Sequence, residues 1–167
     1  MSNIQKLEPK KVFNYFYELN QIPRCSGNEK GVSDFLLNFA KERNLEAYQD
    51  EALNIIIKKP GTAGYENADS VIIQGHMDMV CVKAKGSNHD FSKDPIEMMV
   101  EGDILRANNT TLGGDDGIAV AYALAILDSD DVKHPPLEIV VTTSEETGMD
   151  GAMALTNEHL QGKTLLN

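Results

Sequence analysis

The stretch Val71-Ile-Ile-Gln-Gly-His-Met-Asp-Met-Val80 decides how this chain is read. Its apolar beginning, Ser70 to Gly75, reads as a buried strand, and His76 and Asp78 follow at the carboxyl end. In extended backbone, residues two apart point to the same side, so His76 and Asp78 face one site together. Open α/β sheets hold their ligands beyond the carboxyl ends of the strands, which is where this pair falls. An imidazole beside a carboxylate is what a metal ligand with an orienting partner needs. Taken alone, the plainer alternative is a satisfied histidine at a strand end with an unrelated Asp.

On the amino-terminal side, Val12, Phe13, Phe16, Tyr17 and Leu19 repeat at helical spacing behind Pro9. Ser26-Gly-Asn28 breaks the chain and offers a cap. Val32, Phe35, Leu36, Phe39 and Ala40 then predict a second amphipathic helix ending near Asn44. Strand-like pieces follow at Glu46 to Gln49 and Asn54 to Lys58, closed by Pro60-Gly61, and Thr62 to Asp69 is a polar loop. On the carboxyl side, Ile96 to Val100 and Ile104 to Ala107 flank Glu101-Gly102-Asp103 as a β-hairpin. Ile118 to Leu127 reads as a buried helix, Leu137 to Thr143 as a strand, Ala152 to Leu155 as a short helix, and Thr164 to Asn167 as a strand beginning. Strands alternating with helices predict an α/β fold of three layers around a mostly parallel central sheet.

Two further acidic clusters lie at the ends of these elements. Thr110-Thr-Leu-Gly-Gly-Asp-Asp-Gly117 immediately precedes the Ile118 helix. One Asp there would serve as a cap or suit the helix dipole. Two adjacent ones among three glycines suggest a carboxylate held in an unusual pose, able to bridge two cations. Ser144-Glu-Glu-Thr-Gly148 directly follows the Leu137 strand. Its plainer alternative is an exposed acidic turn. Adjacent carboxylates in such a turn can also diverge, one toward a metal and one toward a water, the division of labour that two-metal hydrolases use.

The composition is consistent with this reading. A formal net charge of -11 argues against nucleic acid or an anionic membrane as partner. No apolar run approaches the ~20 residues of a membrane span, and Met1-Ser-Asn-Ile-Gln-Lys-Leu-Glu8 lacks the apolar core of a signal peptide. The cytoplasm is the expected compartment. Cys25 and Cys81 are too few for a disulfide framework, and Cys81 reads as a reduced, buried strand residue. His134 and His159 read as solvated loop positions.

Gly75-His-Met-Asp-Met-Val80, Thr110-Thr-Leu-Gly-Gly-Asp-Asp-Gly117 and Ser144-Glu-Glu-Thr-Gly148 resemble the metal-site motifs of the di-zinc peptidases and deacylases related to aminoacylase and glutamate carboxypeptidase. Within that family the chain is most similar to the aminoacyl-histidine dipeptidases. The residues that carry this are His89-Asp-Phe91 with Asp94-Pro-Ile96, Leu105-Arg-Ala-Asn108 with Thr110-Thr-Leu-Gly113, and Gly148-Met-Asp-Gly-Ala152. The likeness runs over nearly the whole chain.

The resemblance implies that His76 ligates one zinc and that Asp78 orients it. It makes Asp115 the bridging ligand, followed by a cis peptide bond to Asp116. It makes Glu145 the general base and Glu146 a ligand of the second zinc, with Co2+ or Mn2+ able to stand in. Gly-Gly-Asp-Asp-Gly departs from the subgroup's more usual Gly-Ala-Asp-Asn-Gly and leaves open which Asp faces inward. His89 belongs to the resemblance without an assigned role. The implied substrate is a dipeptide, and the implied assembly of the full-length enzyme is a homodimer. A further Asp ligand, a final His ligand and a lid domain lie beyond Asn167 in the family. Residues 1–167 are therefore expected to be the N-terminal part of the catalytic domain, inactive when isolated. A tripeptidase or an N-acyl amino-acid deacylase would keep the same site residues, and a non-catalytic α/β metal-binding module is the rival from another class.

Overall fold

The computed structural model describes residues 3–167; of the terminal stretch read above, Met1 and Ser2 lie outside them. The apolar spacing behind Pro9 forms helix α1 (Lys10–Leu19), which buries Val12, Tyr15, Phe16 and Leu19. Helix α2 (Lys30–Glu42) buries Val32, Ser33, Leu36, Phe39 and Ala40 on one face. Strands β1 (Glu46–Gln49), β2 (Ile55–Lys59) and β3 (Val71–His76) follow, then the separate hairpin of β4 (Met98–Glu101) and β5 (Ile104–Ala107). Helix α3 (Gly114–Leu127), strand β6 (Leu137–Thr142), the short helix α4 (Asp150–Ala154) and strand β7 (Thr164–Leu166) complete the order.

The central sheet runs β1-β2-β6-β3-β7. Its site-bearing half is parallel, as β3 pairs parallel with both β6 and β7. The other half is antiparallel, so the sheet is mixed. The link between β1 and β2 is too short for a crossover and turns the chain straight back.

The alternation of side chains sorts the strands into two faces. Ile55 and Ile57 of β2 and Leu137, Ile139 and Val141 of β6 join α1, α2 and α3 in the main core. Each such fully buried side chain contributes roughly 1.5–3 kcal/mol over its exposed state. Ile56, Ile72 and Val140 point the other way, against Leu155 and Leu160. The α/β class is as expected, with its helical layer well developed on one face and reduced to α4 and the segment after it on the other.

Three expectations about single residues need correction. Cys25 and Cys81 form a disulfide across Cα atoms 5.7 Å apart. They sit 56 residues apart in sequence, but Cys25 bridges to Met79 in parallel fashion, and this brings the two segments side by side. Cys81 also lies beyond β3, outside any strand, and is half-buried. His134 is buried, 5% exposed, rather than solvated. Its loop is pinned to Thr62, whose N–H donates to the His134 carbonyl, and its Nδ1 lies 2.8 Å from the carbonyl of Pro135. His159 is half-buried too, its ring 4.0 Å from that of Tyr48.

Candidate metal centre

Register places the site. His76, the last residue of β3, pairs with Thr142, the last residue of β6, and the Met77 N–H continues the ladder to the Thr142 carbonyl. Both strands therefore end at one level, and the residues after them share one space. His76 and Asp78 come from the first strand, Glu145 and Glu146 from the second.

The segment after β6 is held from two sides. Asn54 is 1% exposed; its Oδ1 accepts the Thr143 N–H and its Nδ2 donates to the Gly151 carbonyl. Glu29, also buried, accepts from the N–H and the hydroxyl of Ser144. A short 3-10 turn over Glu145–Thr147 follows. Its first two amides point inward at Asp78, whose Oδ1 accepts the Glu145 N–H and whose Oδ2 accepts the Glu146 N–H.

Asp78 is fully buried. A bare carboxylate there would be unsustainable, and its compensation is complete: two amides, the Ser26 hydroxyl at 2.7 Å, and His76 Nδ1 at 3.3 Å. Burial alone would raise its pKa, but these donors hold the carboxyl well below the usual carboxylate range. It is a fixed anion behind the imidazole.

The other ring nitrogen of His76 faces outward to acid. His76 Nε2 lies 3.0 Å from Asp115 Oδ1 and 3.7 Å from Glu145 Oε2. Burial disfavours the imidazolium, yet Asp78 and Asp115, with Asp116 nearby, outweigh it and raise the pKa to about 9. Nε2 therefore faces carboxylates that draw positive charge. Among the described residues, His76, Glu145 and Glu146 each offer one ligand atom within 4.8 Å of the others.

The glycine-rich turn settles which Asp faces the imidazole. Asp115 and Asp116 lie within α3 but have non-helical backbone angles, so the regular helix begins after them, and the bond between them is cis. The Asp115 side chain is 87% exposed and reaches His76. Asp116 instead turns beneath the strand end, where its Oδ2 accepts the His76 N–H at 3.2 Å. Burial, reinforced by Asp115, raises its pKa despite the nearby His76. Gly75 makes this approach feasible, since a Cβ there would meet Asp116 Oδ2 at 2.6 Å.

All five residues singled out in the sequence thus converge: His76, Asp78, Asp115, Glu145 and Glu146. Ser26, part of a segment that the sequence offers as a chain break and a cap, holds Asp78, and Glu29, which no sequence pattern signals, holds the Ser144 turn. His89 stacks edge-on against Phe91 at 4.5 Å and stands outside the cluster.

One imidazole nitrogen with several carboxylate oxygens is a donor set that suits Zn2+, Mn2+ or Co2+ and is unlike the all-oxygen shells of Ca2+. The residues therefore fit the metals that the family resemblance implies.

No family model matches the chain. Over 167 residues, 100% of its length, the chain is 41% identical to the cytosol non-specific dipeptidase of Escherichia coli (strain K12), of which it covers 34%. Its fold matches the crystal structure of aminoacylhistidine dipeptidase from Vibrio alginolyticus with a TM-score of 0.97 at 39% identity, covering 99% of this chain and 34% of that one. The YxeP protein of Bacillus subtilis, a dinuclear metal-binding peptidase from the M20 family, shares the fold at 15% identity and a TM-score of 0.51, over 81% of this chain and 35% of that one. The chain spans about a third of the length of these relatives.

Proposed function

We infer, for a chain that belongs by sequence and fold with the aminoacylhistidine dipeptidases, that it carries part of a metal-dependent dipeptidase site. The reaction is hydrolysis of a dipeptide, of the aminoacyl-histidine type, at a pair of zinc ions. The observation that carries this reading is the environment of His76, with a buried anion behind one ring nitrogen and carboxylates of Asp115 and Glu145 before the other.

His76 Nε2, Asp115 and Glu146 would hold the metals. When bound, these supply a Lewis acid for the scissile carbonyl and lower the pKa of water toward ~7. Asp78 keeps the proton of His76 on Nδ1 and so leaves Nε2 free as a ligand. Asp116 fixes the backbone from which His76 projects. Glu145 Oε2 takes a proton from the attacking water and passes it to the leaving amine. Action in the cytosol and dimerisation of the whole protein belong to the same proposal; the name of the 41% identical relative places that relative in the cytosol.

Calorimetric titration of Zn2+ into the metal-free protein, beside His76→Ala and Asp115→Ala, tests the reading. Binding that both substitutions abolish is expected. Binding unchanged in both would overturn it.

A further inference from the structure

Arg24 is 2% exposed and belongs to no element, yet its guanidinium lies between the two segments that deliver the candidate ligands. Nη1 donates to the Met77 carbonyl at 3.0 Å and approaches the Asp78 carbonyl at 3.4 Å. Nη2 donates to the Gly113 carbonyl at 2.7 Å and to Asn20 Oδ1 at 3.2 Å. The main chain of Arg24 joins the same arrangement, because its carbonyl accepts the Met79 N–H. One planar fork thus spans the exit of β3, which carries His76 and Asp78, and the turn that carries Asp115 and Asp116.

The glycines of that turn are shaped around the fork. A Cβ on Gly117 would meet Arg24 Nη2 at 2.6 Å, and one on Gly113 would collide with the same atom. Asp78 and Asp116 stand close enough to act on its charge, so both carboxylates adjoining His76 share a buried counter-ion. Burying a guanidinium is costly, and Nε is left without a partner. A Lys could supply the charge but not the two-sided span.

We propose that Arg24 is a positioning residue that sets the distance and orientation between the His76-Asp78 segment and the Asp115 turn, and through them the geometry of the metal centre. The inference rests on the metal-site reading above. It assigns to Arg24 no contact with substrate or metal.

The test is titration of the metal-free whole enzyme with Co2+, followed by its visible absorption, in the wild type, Arg24→Lys and Gly117→Ala. Far-UV circular dichroism monitors folding. The expected result is a folded Arg24→Lys protein with roughly 10–100-fold weaker Co2+ binding, the range for lost groups that orient ligands, and with altered cobalt bands. Gly117→Ala, which leaves Arg24 in place but pushes on its fork, should shift the bands in the same direction. If Arg24→Lys does not fold, Gly117→Ala alone decides. Co2+ affinity within about twofold of wild type and unchanged bands in the folded variants would overturn the proposal. A wild-type whole enzyme that takes up no Co2+ would overturn the metal reading and this inference with it.

Discussion

His76 Nδ1 lies 3.3 Å from Asp78 Oδ1, and Asp78 has no exposed surface at all. The imidazole therefore cannot turn without abandoning a buried anion. Asp78 also binds the two amides that begin the Glu145 turn, so it orients ligands from both strands at once. Asp78→Ala should leave those amides and the Ser26 hydroxyl unpaired. We expect a loss of about 3 kcal/mol in denaturant unfolding and roughly 10–100-fold weaker zinc binding. Stability within about 0.5 kcal/mol of wild type would contradict this role.

The titration of His76 makes the metal-free protein pH-dependent in a definite direction. Its folded pKa, about 9, lies above the unfolded value near 6.5, so its contribution is complete below ~6.5 and is lost as pH rises through about 9. The loss is on the order of 3 kcal/mol. Asp78 acts oppositely: its depressed pKa contributes stability above ~3.9 that disappears as pH falls through the folded value. Unfolding curves of the metal-free protein should show both limbs, and His76→Gln should remove the alkaline one. Because a cation displaces the Nε2 proton, apparent Zn2+ affinity should rise with pH, about tenfold per unit below 9. A flat profile would contradict the assignment.

Much of this site was legible in the sequence, because its main members sit where one-dimensional patterns have force. The period of two put His76 and Asp78 on one side of a strand end. The apolar run Leu137 to Thr143 announced that Glu145 and Glu146 follow a strand. What escaped was everything set by long-range approach. Ser26 reaches Asp78 across 52 residues and Arg24 reaches Gly113 across 89, with no local pattern to signal either. The start of α3 was blurred for a different reason: Asp115 and Asp116 lie inside the helix span without helical backbone angles. The antiparallel half of the sheet was hidden because periodicity reports burial and not strand direction.

The cysteines give the clearest case of a count misleading. Two of them suggest no framework, but the pair joins the Ser26 segment to the chain just past Asp78. Closing a loop of 56 residues limits the unfolded chain, and the loop-entropy model puts the gain at about 4 kcal/mol. Protein purified under air should show no reactive thiol when folded and two after reduction. Reduction, or Cys25→Ser with Cys81→Ser, should lower the unfolding free energy by about 2–4 kcal/mol. In a compartment that keeps thiols reduced the protein would do without this stabilisation, so the oxidation state of the pair in cell extracts is also informative. Two free thiols in air-purified folded protein would show that the bond does not form.

The adjacent carboxylates Glu145 and Glu146 offer the sharpest separation of roles. Both lie within ligand range of His76, and distance alone does not divide them. The proposal makes Glu146 a metal ligand and Glu145 the proton acceptor, so their amide variants should differ in kind. Glu145→Gln should bind Zn2+ within a few-fold of wild type while dipeptide turnover by the whole enzyme falls by about 10²–10⁴, the usual contribution of a general base. Glu146→Gln should lose affinity and activity together. The 167-residue chain assayed by itself should show no measurable turnover, because a single imidazole and these carboxylates are too few to close two metal shells. Turnover by the isolated chain that disappears in Glu145→Gln would refute the last expectation while upholding the base. Equal losses of zinc affinity in both variants would instead make Glu145 a ligand and remove it as the base.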